Sequence, residues 1–322
     1  MGVRTPLDFE ELAALARSFG VAPLVSAHGL AAGSINTLYE LQTEGDRYVL
    51  RIAEGGRTKA EVAFELALLG YLASAHFPVA PAAPGVLTVR GKPAILFHYV
   101  AGEEVPLEGV TPTRLLELGT KLGRLHELSD GFSQRLANRY GPAFLDGAIT
   151  ALEHHPRADA EVRAIIPLLR DEKDAWQQLS ALPLGAIHAD LFRDNVRFLG
   201  DRIAAILDWE MACTDLYALD LAITLNDWTF TAEGHFDPSL VRALVAGYQS
   251  QRPLRPEEKT ALWPLSRAAA ARYTASRLTD FHLSDLPPDR LLRKDWRRYR
   301  ARLLTLRAMG SAGFATLAFG SA

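Results

Sequence analysis

The sequence predicts an α+β protein of two lobes, a small β-rich first lobe over residues 1–100 and a larger, mostly helical second lobe over residues 101–322. Three observations carry that expectation. Before residue 100, short strand-like runs alternate with glycine and proline turn signals. After it, apolar residues recur at helical spacing. Inside the helical part lies one isolated hairpin: Val196-Arg197-Phe198, a turn at Gly200-Asp201, then Ile203 to Leu207, with Asn195 before it and Asp208 after it.

Taken in order, Asp8 to Phe19 reads as a short amphipathic helix, with Asp8 and Glu11 as a capping box and Gly20 as its stop. Residues His28 to Asn36 form a glycine-containing lead-in that brings backbone N–H groups, at Gly33 and Ser34, within reach of phosphates. It is not a Walker A loop, because no Lys-Ser or Lys-Thr follows the second glycine. Strands over Leu38 to Leu41 and Arg47 to Ala53 flank the turn Glu44-Gly45-Asp46. Arg51 shares a strand face with Val49 and Ala53, so it needs an anionic partner, either nucleotide phosphate or a glutamate. The helix Lys59 to Ser74 offers Glu61 and Glu65, and Glu65 is the better partner because apolar residues surround it. After a loop at Pro78 to Pro84, Gly85 to Arg90 and Pro93 to Val100 read as two more strands. The backbone from Phe97 through Tyr99 to Val100 is expected to meet an adenine edge in a cleft at the joint of the lobes.

Beyond Ala101 the pattern turns helical, at Thr113 to Leu128, within Tyr140 to Leu182, and at Leu219 to Leu225, Leu240 to Gln249 and Glu257 to Leu278. His126 reads as a core or helix-terminal histidine and His154-His155 as a solvated pair. Asp220 stands among apolar residues and is expected to brace a neighbouring loop through hydrogen bonds. The basic run Arg290 to Arg307 reads as a solvated helix face, and Ala308 to Ala322 as poorly ordered.

Composition narrows the function classes. The chain has 322 residues and a formal net charge of −3, which gives no general attraction to nucleic acid or anionic membrane. Cys213 is the only cysteine, so neither an internal disulfide nor a thiolate metal cluster can form, as suits a reducing cytoplasm. The N-terminal stretch lacks a basic-then-apolar secretory pattern, Pro6 stands where a myristoylation signal wants Ser or Thr, and no apolar run is long enough to span a bilayer.

The chemistry concentrates in Ile187 to Trp209. A hairpin brings its two outer ends side by side, so it delivers the amide oxygen of Asn195 and the carboxylate of Asp208 to one spot, hard oxygen donors suited to Mg²⁺. Asp190, five residues before Asn195 and two after His188, is then free to orient or deprotonate a hydroxyl. That is the layout of phosphoryl transfer, with a catalytic loop followed by a metal-binding aspartate.

With those residues in view, the chain resembles the aminoglycoside-phosphotransferase-like and choline-kinase-like small-molecule kinases over nearly its whole length, and among them the bacterial homoserine kinases of this fold. The stretches that carry the resemblance are Ile187 to Val196, Ala212 to Asp215, Leu219 to Trp228 and Val245 to Gln249. The resemblance implies a two-lobed, protein-kinase-like fold around ATP, with Asp190 as the catalytic base and Asn195 and Asp208 as holders of Mg²⁺. It also implies Arg51 as a phosphate-contacting cation with Glu65 as its helix partner. Asp208 is followed by Trp209-Glu210-Met211, whereas homoserine kinases of this type usually place aromatic residues there. The expected reaction moves a phosphoryl group from ATP to an alcohol, most simply L-homoserine, with an aminoglycoside, a choline-like amino alcohol or hydroxylysine as alternatives and a nucleotide-binding pseudokinase as the rival from another class. A zwitterionic acceptor needs a cation and a carboxylate: Arg272 or Arg277, with Asp227 or Glu210, are the candidates, left unranked.

Overall fold

Asp8 opens the first helix, α1 (Phe9–Ser18), as its spacing to Glu11 predicts. The Asp8 carboxylate accepts the Glu11 N–H at 2.8 Å, and the Glu11 carboxylate accepts the Asp8 N–H at 2.9 Å. The chain then enters an antiparallel five-stranded sheet in the order β1 (Leu24–Leu30), β2 (Thr37–Thr43), β3 (Arg47–Ile52), β5 (Lys92–His98), β4 (Leu87–Val89). Strand β1 is an addition to the sequence reading. It is an edge strand, half exposed, and its burial does not alternate residue by residue, so it lacks the period-two signature. Leu41, Leu50, Ile52 and Leu96 fill the core of this sheet. Helix α2 (Lys59–Ser74) starts on a second capping box, in which Glu61 reaches back to the Thr58 N–H at 2.7 Å. That contact occupies Glu61 at the cap and leaves Glu65 to point inward.

The computed structural model describes residues 4–30, 36–179, 181–284 and 294–320. The chain divides into two compact units: Met1–Glu103 with Arg197–Leu199 and Ala204–Glu210, and Glu104–Val196 with Gly200–Ile203 and Met211–Ala322. A single cut after residue 100 therefore becomes a boundary with two returns. The physical reason is backbone pairing, because Phe198 bridges to Glu103 and Ile206 bridges to Val79.

The second unit holds α3 (Pro112–Ser129), α4 (Pro142–His154), α5 (Ala160–Gln177), α6 (Tyr217–Trp228), α7 (Pro238–Gln251), α8 (Pro256–Arg277) and α9 (Arg297–Phe319). Two short strands, β6 (Leu184–Ile187) and β9 (Cys213–Leu216), pair antiparallel; in sequence the hairpin of β7 (Val196–Leu199) and β8 (Arg202–Ile206) lies between them. Helices α3 and α7 meet backbone to backbone. A methyl group on Gly119 would lie 2.1 Å from the Leu244 carbonyl oxygen, and one on Gly247 would lie 2.1 Å from that of Leu116. This close approach sets His126 of α3 against Tyr248 of α7.

Two expectations about the C-terminal region are corrected. Residues 308–319 are helical, not poorly ordered: α9 breaks its geometry at Gly310 (φ +69°) but continues because Phe314, Leu317 and Ala318 are buried. The basic face of α9 is not simply solvated either. Arg297 and Arg300 pair with Glu161, Arg307 pairs with Asp171 and Glu172, and Arg302 is buried. The start of that basic run, 290–293, lies outside the described residues. No helix among the described residues is long and apolar enough to cross a membrane.

Candidate active site

In the first unit the focus is a buried cation. Arg51 on β3 is 5% exposed, and its Nη2 donates to both carboxylate oxygens of Glu65 at 2.8 and 2.7 Å. Arg57, in the loop before α2, adds a second guanidinium to the same carboxylate. Burial alone would favour neutral forms. The mutual attraction outweighs it, so the Arg51 pKa rises and the Glu65 carboxyl sits below its ordinary value. The other face of Arg51 turns to Asp208, with Nη1 3.5 Å from Oδ1. Asp208 itself has φ +58°, a left-handed backbone that is costly for a residue with a side chain.

Phe97 lies beside this group, its ring centroid 5.0 Å from the Arg51 guanidinium carbon. Tyr99 stacks under Arg47 at 3.6 Å instead. The N–H groups of His98 and Tyr99 donate to the Pro81 and Arg47 carbonyls at 2.9 Å each, so these two amides are already used within the unit. Glu210 accepts from the Asn36 side-chain amide at 2.6 Å. Gly33 and Ser34 lie outside the described residues.

In the second unit β6 runs directly into His188-Ala189-Asp190. Ala189 has φ +62°, and the turn it makes is held from behind by Asp220 of α6. The Asp220 Oδ2 accepts the His188 N–H at 2.9 Å, and Oδ1 accepts the Ala189 N–H at 2.8 Å. Behind Asp220, His126 Nε2 lies 3.1 Å from Oδ2, and His126 Nδ1 lies 2.8 Å from the Tyr248 hydroxyl. His126 and Asp220 are both fully buried. Burial holds the His126 pKa below its ordinary value. Burial pushes the Asp220 carboxyl the other way, but the hydrogen bond from His126 and the loop amides overcome it and keep Asp220 ionised.

Asp190 is only half-buried. The Tyr273 hydroxyl of α8 lies 2.7 Å from its Oδ1 and 2.8 Å from the Ala189 carbonyl oxygen. Burial raises the Tyr273 pKa far above its usual range, so it stays a phenol and donates. The side-chain amide of Asn195 donates to the Asp190 backbone carbonyl at 2.8 Å. That bond uses the nitrogen and turns the Asn195 carbonyl oxygen into the atom able to face a ligand. Asp227 is occupied: it accepts the Arg193 N–H at 3.1 Å and lies 3.4 Å from the Arg193 Nε. Arg277 donates to the Asp295 carbonyl at 3.1 Å and lies over Tyr299, while Arg272 lies over Tyr140 and Tyr273.

The second unit thus brings together Asp190, Asn195 and Arg272 around Tyr273 and its neighbours, while Arg277 and Asp227 are committed elsewhere. Two residues in these clusters escaped the sequence reading. Tyr273 gives no local signal. Arg57 does give one, since a cation just ahead of a helix N-terminus opposes the helix dipole and calls for a carboxylate.

Among the described residues no group of three or more His, Cys, Asp or Glu side chains could hold a metal by itself. A cation that keeps several waters and binds through one or two protein oxygens and substrate phosphates fits this donor chemistry, and Mg²⁺ is such a cation.

Residues 26–254 match the model of the phosphotransferase enzyme family. The chain is 36% identical over 293 residues to a homoserine kinase of Phenylobacterium zucineum, covering 88% of each chain. It is also 36% identical over 325 residues to a homoserine kinase of Mesorhizobium japonicum, covering 97% of this chain and 98% of the relative. Among solved structures it is similar to an amicoumacin kinase in complex with AMP-PNP and Ca²⁺, with a TM-score of 0.71 at 17% identity over 94% of this chain and 95% of the other. A spectinomycin phosphotransferase in complex with ADP gives a TM-score of 0.71 at 15% identity over 96% of this chain and all of the other, 100%. At such identities these two likenesses show the fold, an α+β arrangement of the protein-kinase-like type.

Proposed function

Because the chain belongs to the phosphotransferase enzyme family, we propose that it transfers the γ-phosphoryl group of ATP to the side-chain hydroxyl of L-homoserine, with Mg²⁺, in the cytoplasm. The observation that carries the acceptor is the near full-length similarity, 36% identity over 97% of this chain, to a protein named for that substrate. Phosphoryl transfer asks little covalent chemistry of the protein and depends on positioning and charge.

Asp190 is the proposed base. The Tyr273 hydroxyl fixes one of its oxygens, and the half-exposed carboxylate takes the acceptor proton as the new O–P bond forms and the bond from the γ-phosphorus to the leaving ADP oxygen breaks. Asn195 and Asp208 are the proposed oxygen donors to Mg²⁺, which when bound supplies positive charge against the phosphate oxygens. Arg51, already braced by Glu65, whose carboxylate Arg57 also holds, adds a fixed cation beside Asp208. Gly33 and Ser34, with the stretch around Phe97 and Tyr99, are proposed to meet the nucleotide.

The test is ATP consumption by the purified protein with Mg²⁺ across L-homoserine, choline, ethanolamine, hydroxylysine and kanamycin, alongside Asp190→Asn. Turnover on L-homoserine, reduced by about 10²–10⁴-fold in the variant, is the expected result. Turnover on a different acceptor alone would overturn the substrate, and wild-type rates in Asp190→Asn would overturn the base.

A further inference from the structure

The second unit buries or half-buries several arginines, and nearly all of them have an oxygen to answer their charge. Arg252 pairs with Glu258 at 2.9 Å, Arg267 with Glu172 at 2.7 Å, and Arg193 with Asp227 at 3.4 Å. Arg277 donates to the Asp295 carbonyl at 3.1 Å and Arg302 to that of Asn226 at 2.5 Å. Arg272 differs. It is 4% exposed, yet no described carboxylate lies within ion-pair distance, Asp280 acting on it only from farther off, and no described oxygen accepts from it; its guanidinium rests on the rings of Tyr140 at 4.1 Å and Tyr273 at 3.9 Å. Aromatic faces attract a cation but satisfy none of its five N–H donors. A buried guanidinium in that state is arranged for an anion that arrives from outside.

Position says which anion. The Tyr273 ring that carries Arg272 on its face holds Oδ1 of Asp190 with its hydroxyl at 2.7 Å. The cation and the proposed base therefore flank the same side chain. An α-amino acid with a two-methylene side chain separates its hydroxyl from its carboxylate by about 5 Å at ordinary bond lengths. To be bound at both ends, such an acceptor must touch both groups, which share one tyrosine.

We infer that Arg272 binds the α-carboxylate of the acceptor, and that Tyr140 and Tyr273 hold its planar guanidinium ready for a bidentate contact. The inference rests on the proposed phosphotransfer from ATP and deepens it, because it makes the enzyme selective for hydroxy amino acids over amino alcohols. It also ranks the four candidates for acceptor binding: Arg272 takes the carboxylate, whereas Arg277, Asp227 and Glu210 are held by partners within their own units.

The experiment compares wild type, Arg272→Gln and Arg272→Lys on matched acceptors with and without a carboxylate: L-homoserine against 3-aminopropan-1-ol, and L-serine against ethanolamine. Thermal unfolding and the KM for ATP report whether each variant is folded and nucleotide-competent. For Arg272→Gln the expected result is a KM for the carboxylate-bearing acceptor raised by about 10²-fold or more, with the KM for ATP unchanged and turnover of the carboxylate-free partner kept or improved. Arg272→Lys keeps the charge and the ring contact but loses the fork, and should fall between. Equal losses on both members of a pair, or an unchanged KM, would overturn the assignment, and Arg272→Lys decides it if the glutamine variant does not fold. Wild type active only on carboxylate-free alcohols would overturn it too, while leaving phosphotransfer intact. Wild type active on L-serine but not L-homoserine, and sensitive to Arg272→Gln, would uphold Arg272 and overturn the homoserine reading.

Discussion

Two aspartates of the second unit, Asp190 and Asp220, show how burial separates a carboxylate that can react from one that holds the fold. Asp220 is fully buried, and both of its oxygens are used: one by the Ala189 N–H, the other by the His188 N–H and His126. Its charge is stabilised where it stands, so it has no proton to trade near neutral pH. Asp190 sits at the other end of the same turn, half exposed, with Tyr273 on one oxygen and a long 3.4 Å approach from Asn195 to the other. The first carboxylate fixes the loop and the second is what the loop presents. Tyrosine suits the second task because a neutral donor orients a carboxylate without neutralising it.

The sharpest way to break that comparison is to neutralise each aspartate in turn. Asp190→Asn should cost about 10²–10⁴-fold in turnover. Its unfolding free energy should move by no more than roughly 0.5 kcal/mol, since an amide oxygen still accepts from Tyr273 at a partly exposed site. Asp220→Ala reverses the pattern. It leaves two buried N–H groups and a buried histidine without their acceptor, and should lower stability by about 3–5 kcal/mol. Urea denaturation of both variants checks this. A stable Asp220→Ala protein would mean that the turn holds itself.

A smaller effect comes from protons. Burial keeps the folded-state pKa of His126 below its ordinary value, so the folded protein holds it neutral. The unfolded chain takes up that proton as pH falls below about 6.5. The contribution of His126 is therefore fully present above the unfolded pKa and is lost as pH falls toward the folded one. Between pH 7 and 5.5 stability should fall, read as the difference between wild type and His126→Gln in urea titrations at the two pH values. Equal pH slopes in the two proteins would show that His126 binds its proton alike in both states.

Much of this arrangement was legible in the sequence, and the part that was not has a common cause. The hairpin between Asn195 and Asp208, the helices α1, α2, α3 and α8, and the pairing of Arg51 with Glu65 follow from local signals: turn residues, capping boxes, and a charge embedded in an apolar period. Asp220 could be expected to brace a loop because an aspartate among Leu219, Leu221 and Ala222 must find donors. Which donors it finds depends on tertiary placement. Tyr273 lies 83 positions from Asp190 in sequence, and nothing in its neighbourhood distinguishes it from a packing tyrosine. The same holds for Arg272: its sequence shows a cation in a helix, and only the absence of a described partner oxygen in the folded unit separates it from Arg277. Strands β6 and β9 were missed because four residues are too few to establish a period. The end of α9 was misread because small residues and Gly310 look like a tail until Phe314 and Leu317 are seen to be buried.

The smallest test of the comparison concerns the backbone between the two aspartates. Ala189 holds φ +62°, a conformation that costs a residue with a Cβ roughly 1–2 kcal/mol, and the two amides bound to Asp220 are what keep it there. Ala189→Gly removes that strain. It also gives the unfolded chain more freedom, at a cost of about 0.5–1 kcal/mol relative to alanine. The net change in stability should be a gain smaller than about 1 kcal/mol, measured as a rise of a few degrees or less in melting temperature. A clear fall would mean that packing of the buried Ala189 methyl contributes more than the strain costs, and that the left-handed turn is held by side-chain packing as well as by Asp220.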